Sequence, residues 1–252
     1  MFLYSPLDQF ETISLFSLAA PILGNFNIAL TNLGFYCLLV FVIIFGFHVL
    51  SNNNFALVPS NYSIALESFF ASIANMVRSQ IGETKEMYLP FVYSLFLFIL
   101  ISNLVSNVPY NFAVTSSAVV CLGLSVTIFL SVTILALTKH GIKFFAFFVP
   151  SGCPLALVPL LVLIELISYF ARSVSLGLRL FANIVAGHTL LAILSSFLMK
   201  LFSTSILVFF ITLIPFALFT AIIGLEIAVS FIQAFVFSLL VCSYIKDAEY
   251  LH

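Results

Sequence analysis

Two stretches of this chain, residues 157–200 and 205–246, are apolar almost throughout, and no polar loop divides either of them. Forty helical residues at about 1.5 Å each extend for about 60 Å, roughly twice the ~30 Å hydrocarbon core of a bilayer. Each stretch must therefore fold into two spans or lie as one steeply tilted helix, where ordinary spans tilt by about 20°. The only turn signal between them is Phe202-Ser-Thr-Ser205, and Gly177, Gly187, Pro215 and Gly224 mark points where a helix would kink. The pattern predicts two long, tilted helices joined as a hairpin.

The rest of the chain supports a membrane setting. Residues 31–50, 88–108 and 113–138 are span-length apolar runs, the second stopped by Pro109. Residues 60–81 differ: Glu67, Asn75, Arg78 and Gln80 interrupt Leu66, Phe69, Phe70, Ile73 and Val77, as in an amphipathic helix lying in the interface. Ser51-Asn-Asn-Asn54, Lys139-His140-Gly141-Ile142-Lys143 and the Pro150, Gly152, Pro154 connector separate the elements. Hydrophobic residues make up 63% of the chain and charged residues 7%, against about 25% charged in soluble domains. That balance excludes a soluble enzyme, a disordered chain and a basic nucleic-acid binder. A β-barrel would alternate in segments of about ten residues instead. The expected fold is an all-α membrane protein, one domain over 1–252, with about five membrane helices plus one interfacial helix.

The first Lys or Arg is Arg78, so neither a secretory signal peptide nor an Arg-rich transit peptide is expected. Cys37, Cys121, Cys153 and Cys242 are scattered in apolar context and read as small buried hydrophobes. With the N-terminus outside and five crossings, Arg78, Lys85, Lys139, Lys143 and Lys246 fall inside and only Lys200 outside. The positive-inside rule then sets the C-terminus inside.

Ionisable side chains within the long apolar helices are the informative residues, because each costs about 2.5–3.5 kcal/mol at the bilayer centre on insertion scales. The first long helix carries Glu165, Arg172, Arg179 and His188; the second carries Glu226, with Gln233 two turns on. Glu165, Arg172 and Arg179 recur at heptad spacing and share one face, whereas His188 points roughly opposite to Arg179. Ser175, Ala182, Asn183 and Ala186 surround Arg179 with small or polar groups that let another helix approach. Facing residues of an antiparallel hairpin have a constant index sum. One register of that kind brings together Arg179 with Gln233, Glu165 with Asp247, Ser168 with Tyr244 and, nearly, His188 with Glu226. Two protonatable zones result, separated by a fixed cation. Histidine titrates near neutrality, while arginine keeps its charge and repels a passing proton. The pattern is that of a proton path with a barrier.

These residues carry a resemblance. Ser175-Leu-Gly-Leu-Arg-Leu-Phe-Ala-Asn-Ile-Val-Ala-Gly-His188 closely resembles the signature of the subunit a family of F-type ATP synthases. So do Glu165-Leu-Ile-Ser-Tyr169, Gln233-Ala-Phe-Val-Phe237, Ser5-Pro-Leu-Asp-Gln-Phe-Glu11, Asn103 with Val108-Pro-Tyr-Asn111, and Tyr244-Ile-Lys-Asp-Ala248. Asn27-Ile-Ala-Leu30, Asn52-Asn-Asn54 and the region of Cys153 match poorly. The resemblance implies a stator beside a rotating ring of c subunits, with Arg179 as the essential arginine opposite the ring carboxylate. His188 and Glu226 would line the half-channel of the intermembrane-space side, the mitochondrial arrangement of acid and histidine. Glu165, Asn183, Tyr244 and Asp247 would line or border the matrix half-channel, with Gln233, Arg172, Ser175 and Asn103 as supporting polar groups. It also implies the mitochondrial inner membrane, the c-ring, peripheral-stalk and other membrane-sector subunits as partners, and no cofactor, metal or nucleic acid. ATP chemistry would take place elsewhere, since the chain has no G-x-x-x-x-G-K loop.

Two other classes fit the residues less well. A redox subunit needs paired ligand histidines, and His48, His140, His188 and His252 stand on separate elements. A self-contained proton- or ion-coupled secondary transporter would be expected to show an internal repeat, and none is visible.

Overall fold

The computed structural model describes residues 5, 7–20, 26–51, 59–108, 111–142, 144, 158–202 and 206–250. Among the described residues six α-helices follow a short two-stranded ribbon: α1 Asn32–Ser51, α2 Asn61–Ile81, α3 Leu89–Ser106, α4 Ala118–His140, α5 Val158–Phe202 and α6 Ile206–Glu249. A 3-10 segment, Glu83–Tyr88, leads into α3. Among the described residues five helices are long and apolar enough to cross a membrane: α1, α3 with its lead-in, α4, α5 and α6. The protein is an all-α membrane protein. The two long apolar stretches are single helices of 45 and 44 residues, and Pro215 sits inside α6 without dividing it. The turn signal at Ser203-Thr-Ser205, the stop at Pro109, Asn52-Asn-Asn54, Lys143 and the connector with Pro150, Gly152, Cys153 and Pro154 lie outside the described residues.

The strands were not expected. β1 (Ser14–Ala20) and β2 (Phe26–Thr31) pair antiparallel, with Ser17 opposite Ala29 and an irregularity between Ser14 and Phe16. Neither strand is rich in the β-branched residues that signal one in sequence. Asn32 ties the ribbon to α1: its Oδ1 accepts from Ile13 N–H at 3.3 Å, and its Nδ2 donates to the Glu11 carbonyl at 3.1 Å.

The chain divides into two compact units, and α3, α5 and α6 contribute residues to both. The first unit holds residues 1–49, 98–117 and 181–234. In it α1 stacks Phe41 on Phe98 and sets Tyr36 against Phe112, at centroid distances of 5.4 and 6.1 Å. Only Val40 of α1 is fully buried, and Phe35, Leu38, Phe41, Val42, Phe45 and Val49 are among the exposed side chains left for lipid or another protein. The end of α5 meets the start of α6 through Phe202, whose ring lies 5.2 Å from Phe209.

The second unit holds residues 50–97, 118–180 and 235–252. Ser60 caps α2, its side chain accepting from Ser63 N–H at 3.3 Å, and the helix buries Ile73, Ala74, Met76, Val77 and Ile81. Of the apolar stripe seen in the sequence, Ile73 and Val77 are buried, Leu66 and Phe69 are half-buried and Phe70 is exposed. The helices α4 and α5 approach closely at Gly177. A Cβ there would stand 2.5 Å from Ser125 Oγ and 2.8 Å from the Cys121 carbonyl, so only glycine fits without moving a backbone. Ser173 Oγ donates to the Ser125 carbonyl at 3.2 Å beside that contact.

Candidate functional site

Ionisable groups gather in both units. In the first, His188 Nε2 lies 3.8 Å from Glu226 Oε1 and 3.1 Å from Ser106 Oγ, and Phe10 packs edge-on against the imidazole. Glu226 is 7% exposed and Ser106 1%, so the pair is shielded from bulk solvent within the chain. Gly187 makes this possible: a Cβ at that position would meet Glu226 Oε1 at 2.6 Å and its Cδ at 3.2 Å. The end of α3 and Asn107, just beyond it, supply the remaining polar wall. Asn107 Nδ2 donates to Ser230 Oγ at 3.0 Å, Asn103 Nδ2 to the Ser230 carbonyl at 3.5 Å, and Ser230 Oγ to the Glu226 carbonyl at 2.9 Å. At 3.8 Å the carboxyl and the imidazole are beyond direct hydrogen-bond reach, so a proton passes between them only after a small side-chain movement or through a bridging group.

In the second unit an open cavity of about 370 Å³ lies between α5 and α6, with Arg172, Ser175, Arg179, Ser243, Tyr244 and Asp247 as its polar lining. Arg172 Nη1 bonds Asp247 Oδ2 at 3.2 Å, and its guanidinium lies 5.7 Å from the Tyr244 ring centroid. Tyr244 OH donates to the Arg172 carbonyl at 3.5 Å. Two guanidinium groups against one carboxylate leave the groove with net positive charge. The Arg172–Asp247 pair is more than a third exposed on both sides and contributes less than about 1 kcal/mol to stability. Arg179 and Ser175 are exposed, as are the small residues Ser168 and Ala171 on the same helix.

The structure changes one expectation. Asp247 does not face Glu165: it pairs with Arg172, one heptad further along α5, and Tyr244 bonds Arg172 rather than meeting Ser168. The physical reason is charge, since two facing carboxylates would repel whereas Arg172 offers a counter-ion and an aromatic contact. Glu165, Arg179, Asn183 and Gln233 make no side-chain hydrogen bond or ion pair among the described residues. Glu165, Asn183 and Gln233 are half-buried.

The sequence does not single out Ser106, Asn107 and Ser230, or the role of Gly187 beside Glu226, because only convergence from different helices gives them meaning. Glu249 was missed as well. It is buried at the C-terminus of α6, bonded by Tyr88 OH and Lys139 Nζ, with Lys85 Nζ 3.3 Å away. No cluster of three or more His, Cys, Asp or Glu suited to a metal occurs among the described residues.

Fold and sites define a multi-pass helical membrane protein that keeps an acid–histidine pair and a positively charged groove within its apolar helices. The sequence profile of the ATP synthase A chain matches residues 34–246. Over 250 residues the chain is 59% identical to ATP synthase subunit a of Mycosarcoma maydis, covering 99% of this chain and 98% of that one. The subunit a of Emericella nidulans is 52% identical over 252 residues, and that of Kluyveromyces lactis 46% over 253, each covering 100% of this chain. The relatives' own lengths are covered to 98% and 99%. The chain belongs to the family of subunit a of the F-type ATP synthase.

Proposed function

We propose that this chain is the non-catalytic proton-carrying stator of the membrane sector of an ATP synthase, set against a rotating ring of c subunits in the mitochondrial inner membrane. The observation that carries the reading is the division of the ionisable groups into two sets: a buried acid–histidine pair in one unit and an arginine-bearing groove in the other. His188 and Glu226 take up a proton from the intermembrane-space side and deliver it to a ring carboxylate. Only the neutral carboxyl turns into lipid cheaply. After nearly a full rotation the carboxyl loses its proton to the matrix path, bordered by Glu165, Asn183, Tyr244 and Asp247. Arg179, exposed among small residues, attracts the ionised carboxylate and bars a direct leak; Arg172, Ser175, Gln233 and Asn103 support these groups. The membrane potential supplies about 2.3 kcal/mol per charge per 100 mV to bias the motion. The long tilted hairpin lies along the ring, the peripheral stalk and other membrane-sector subunits hold the chain still, and it works as one integral-membrane domain. The N-terminus stands in the intermembrane space and the C-terminus in the matrix.

Glu226→Gln tests the reading. It keeps the size of the side chain and removes the titrating group, so ATP-driven proton pumping by reconstituted complexes should fall far more than with Asn103→Ala. Equal, negligible effects would remove Glu226 from the path. Gly187→Ala makes a separate prediction. The added Cβ would meet the flexible end of Glu226 and shift it from its present position 3.8 Å from His188. The complex should assemble with normal helix content and pump several-fold more slowly. Unchanged pumping would mean that the closeness of Glu226 to His188 is irrelevant to transport.

A further inference from the structure

The N-terminal segment turns a single described side chain inward. Leu7, Ile13, Leu15 and Phe16 are 59%, 61%, 49% and 73% exposed, whereas Phe10 is half-buried. Its ring stands edge-on to the His188 imidazole at a centroid distance of 6.3 Å. Ordinary apolar packing would draw in several of these side chains, so the placement of Phe10 alone calls for a cause. Two devices hold it. Before it, a turn is closed by Ser5 N–H donating to Asp8 Oδ2 at 3.0 Å, Leu7 N–H to Ser5 Oγ at 3.3 Å and Phe10 N–H to the Leu7 carbonyl at 3.0 Å. After it, Asn32 at the start of α1 fastens the strand: Nδ2 donates to the Glu11 carbonyl at 3.1 Å, Oδ1 accepts from Ile13 N–H at 3.3 Å, and the Asn32 N–H donates to the Ile13 carbonyl at 3.0 Å. Through the stacking of Phe41 on Phe98, α1 is in turn fixed to α3, the helix that carries Ser106.

The imidazole needs such a neighbour. The outer torsion of a histidine side chain has broad, roughly two-fold wells, so the contact with Ser106 Oγ at 3.1 Å does not by itself fix the plane of the ring. An aromatic ring packed edge-on does, because perpendicular pairs favour one mutual orientation. We propose that the strap from Leu7 to Ile13 is a lid on the acid–histidine pair and that Phe10 is a positioning residue, holding His188 Nε2 toward Ser106 and Glu226 and covering the imidazole. The cover is a property of the chain itself; its effect on transport rests on the reading of His188 and Glu226 as a proton path.

The test is the rate at which diethyl pyrocarbonate acylates His188 in the intact complex, read by mass spectrometry against His48 and His140 on α1 and α4. Phe10→Ala is expected to speed the reaction at His188 several-fold and to slow ATP-driven pumping about two- to tenfold, the range that loss of one aromatic contact allows. Phe10→Tyr keeps the ring and should restore most of both. Asn32→Asp keeps the acceptor that caps α1 through Leu33 N–H and removes the donor to the Glu11 carbonyl. It should raise the reactivity of His188 to a smaller extent although it lies outside the pair, and it decides even where a Phe10 variant fails to assemble. Unchanged reactivity of His188 in Phe10→Ala or in Asn32→Asp, or a tyrosine variant as reactive as the alanine one, overturns the lid. Raised reactivity with unchanged pumping in Phe10→Ala overturns the positioning role. Raised reactivity together with normal pumping in Glu226→Gln would instead reject the proton path and leave the lid standing.

Discussion

Replacing Arg179 with alanine is expected to abolish ATP-driven proton pumping while the subunit still inserts and assembles. Arg179 is exposed and makes no hydrogen bond or ion pair among the described residues, so its removal leaves the packing of α5 and α6 intact. Substitutions at such positions usually change stability by less than about 0.5 kcal/mol. The loss falls on what the guanidinium faces. Stranding a carboxylate away from water by removing its partner costs about 3–5 kcal/mol, or roughly two to four powers of ten in rate if the ring must pass that point. On the proposed function, passive leak through reconstituted vesicles should rise in the same variant, because no fixed cation would then separate the two proton paths. Arg179→Lys should keep the leak low, since it keeps the charge, and should still lose most pumping, since an ammonium lacks the planar fork of donors. Normal pumping in the alanine variant would mean that the intramembrane charges only hold the helices together.

How much of this was legible beforehand depends on the kind of residue. The two long helices were readable because an uninterrupted apolar run longer than a bilayer is thick leaves few alternatives. His188 and Glu226 stood out because ionisable groups in such runs are costly and rare, and the structure brings them to 3.8 Å. The pairing of Asp247 was misassigned. A constant index sum assumes that the side chains of two helices meet straight across, and a long arginine reaches along the helix to take the nearest carboxylate. Ser106, Asn107 and Ser230 stayed hidden because their meaning lies in convergence from different helices, which spacing along one helix cannot express. Lys85 and Lys139 were read only as loop charges that orient the chain, yet both turn to the same buried carboxylate. The N-terminal ribbon lacked the strong alternation that would have announced it.

That carboxylate gives the second large effect. Glu249 closes α6 with its side chain 3% exposed, held by Lys139 at the end of α4 and by Lys85 and Tyr88 of the 3-10 segment before α3. An acidic residue at a helix C-terminus is unfavourably placed in the helix dipole, so its position depends on those cations. Glu249→Ala would leave two ammonium groups facing each other around an emptied space. Breaking a buried pair costs about 3–5 kcal/mol, and because each lysine is about one-third exposed the expected loss is smaller, about 2 kcal/mol. It should appear as a lower temperature of complex dissociation in detergent. The last two turns of α6 also carry Tyr244 and Asp247 to the groove, so pumping should fall along with stability. Glu249→Leu combined with Lys139→Leu should recover much of the stability, because an apolar pair of similar volume satisfies the same space and Lys85 can extend to water. A Glu249→Ala complex as heat-resistant as wild type would show that the cluster contributes nothing to holding α6. A double variant no better than the single one would show that the charges are needed for more than mutual compensation.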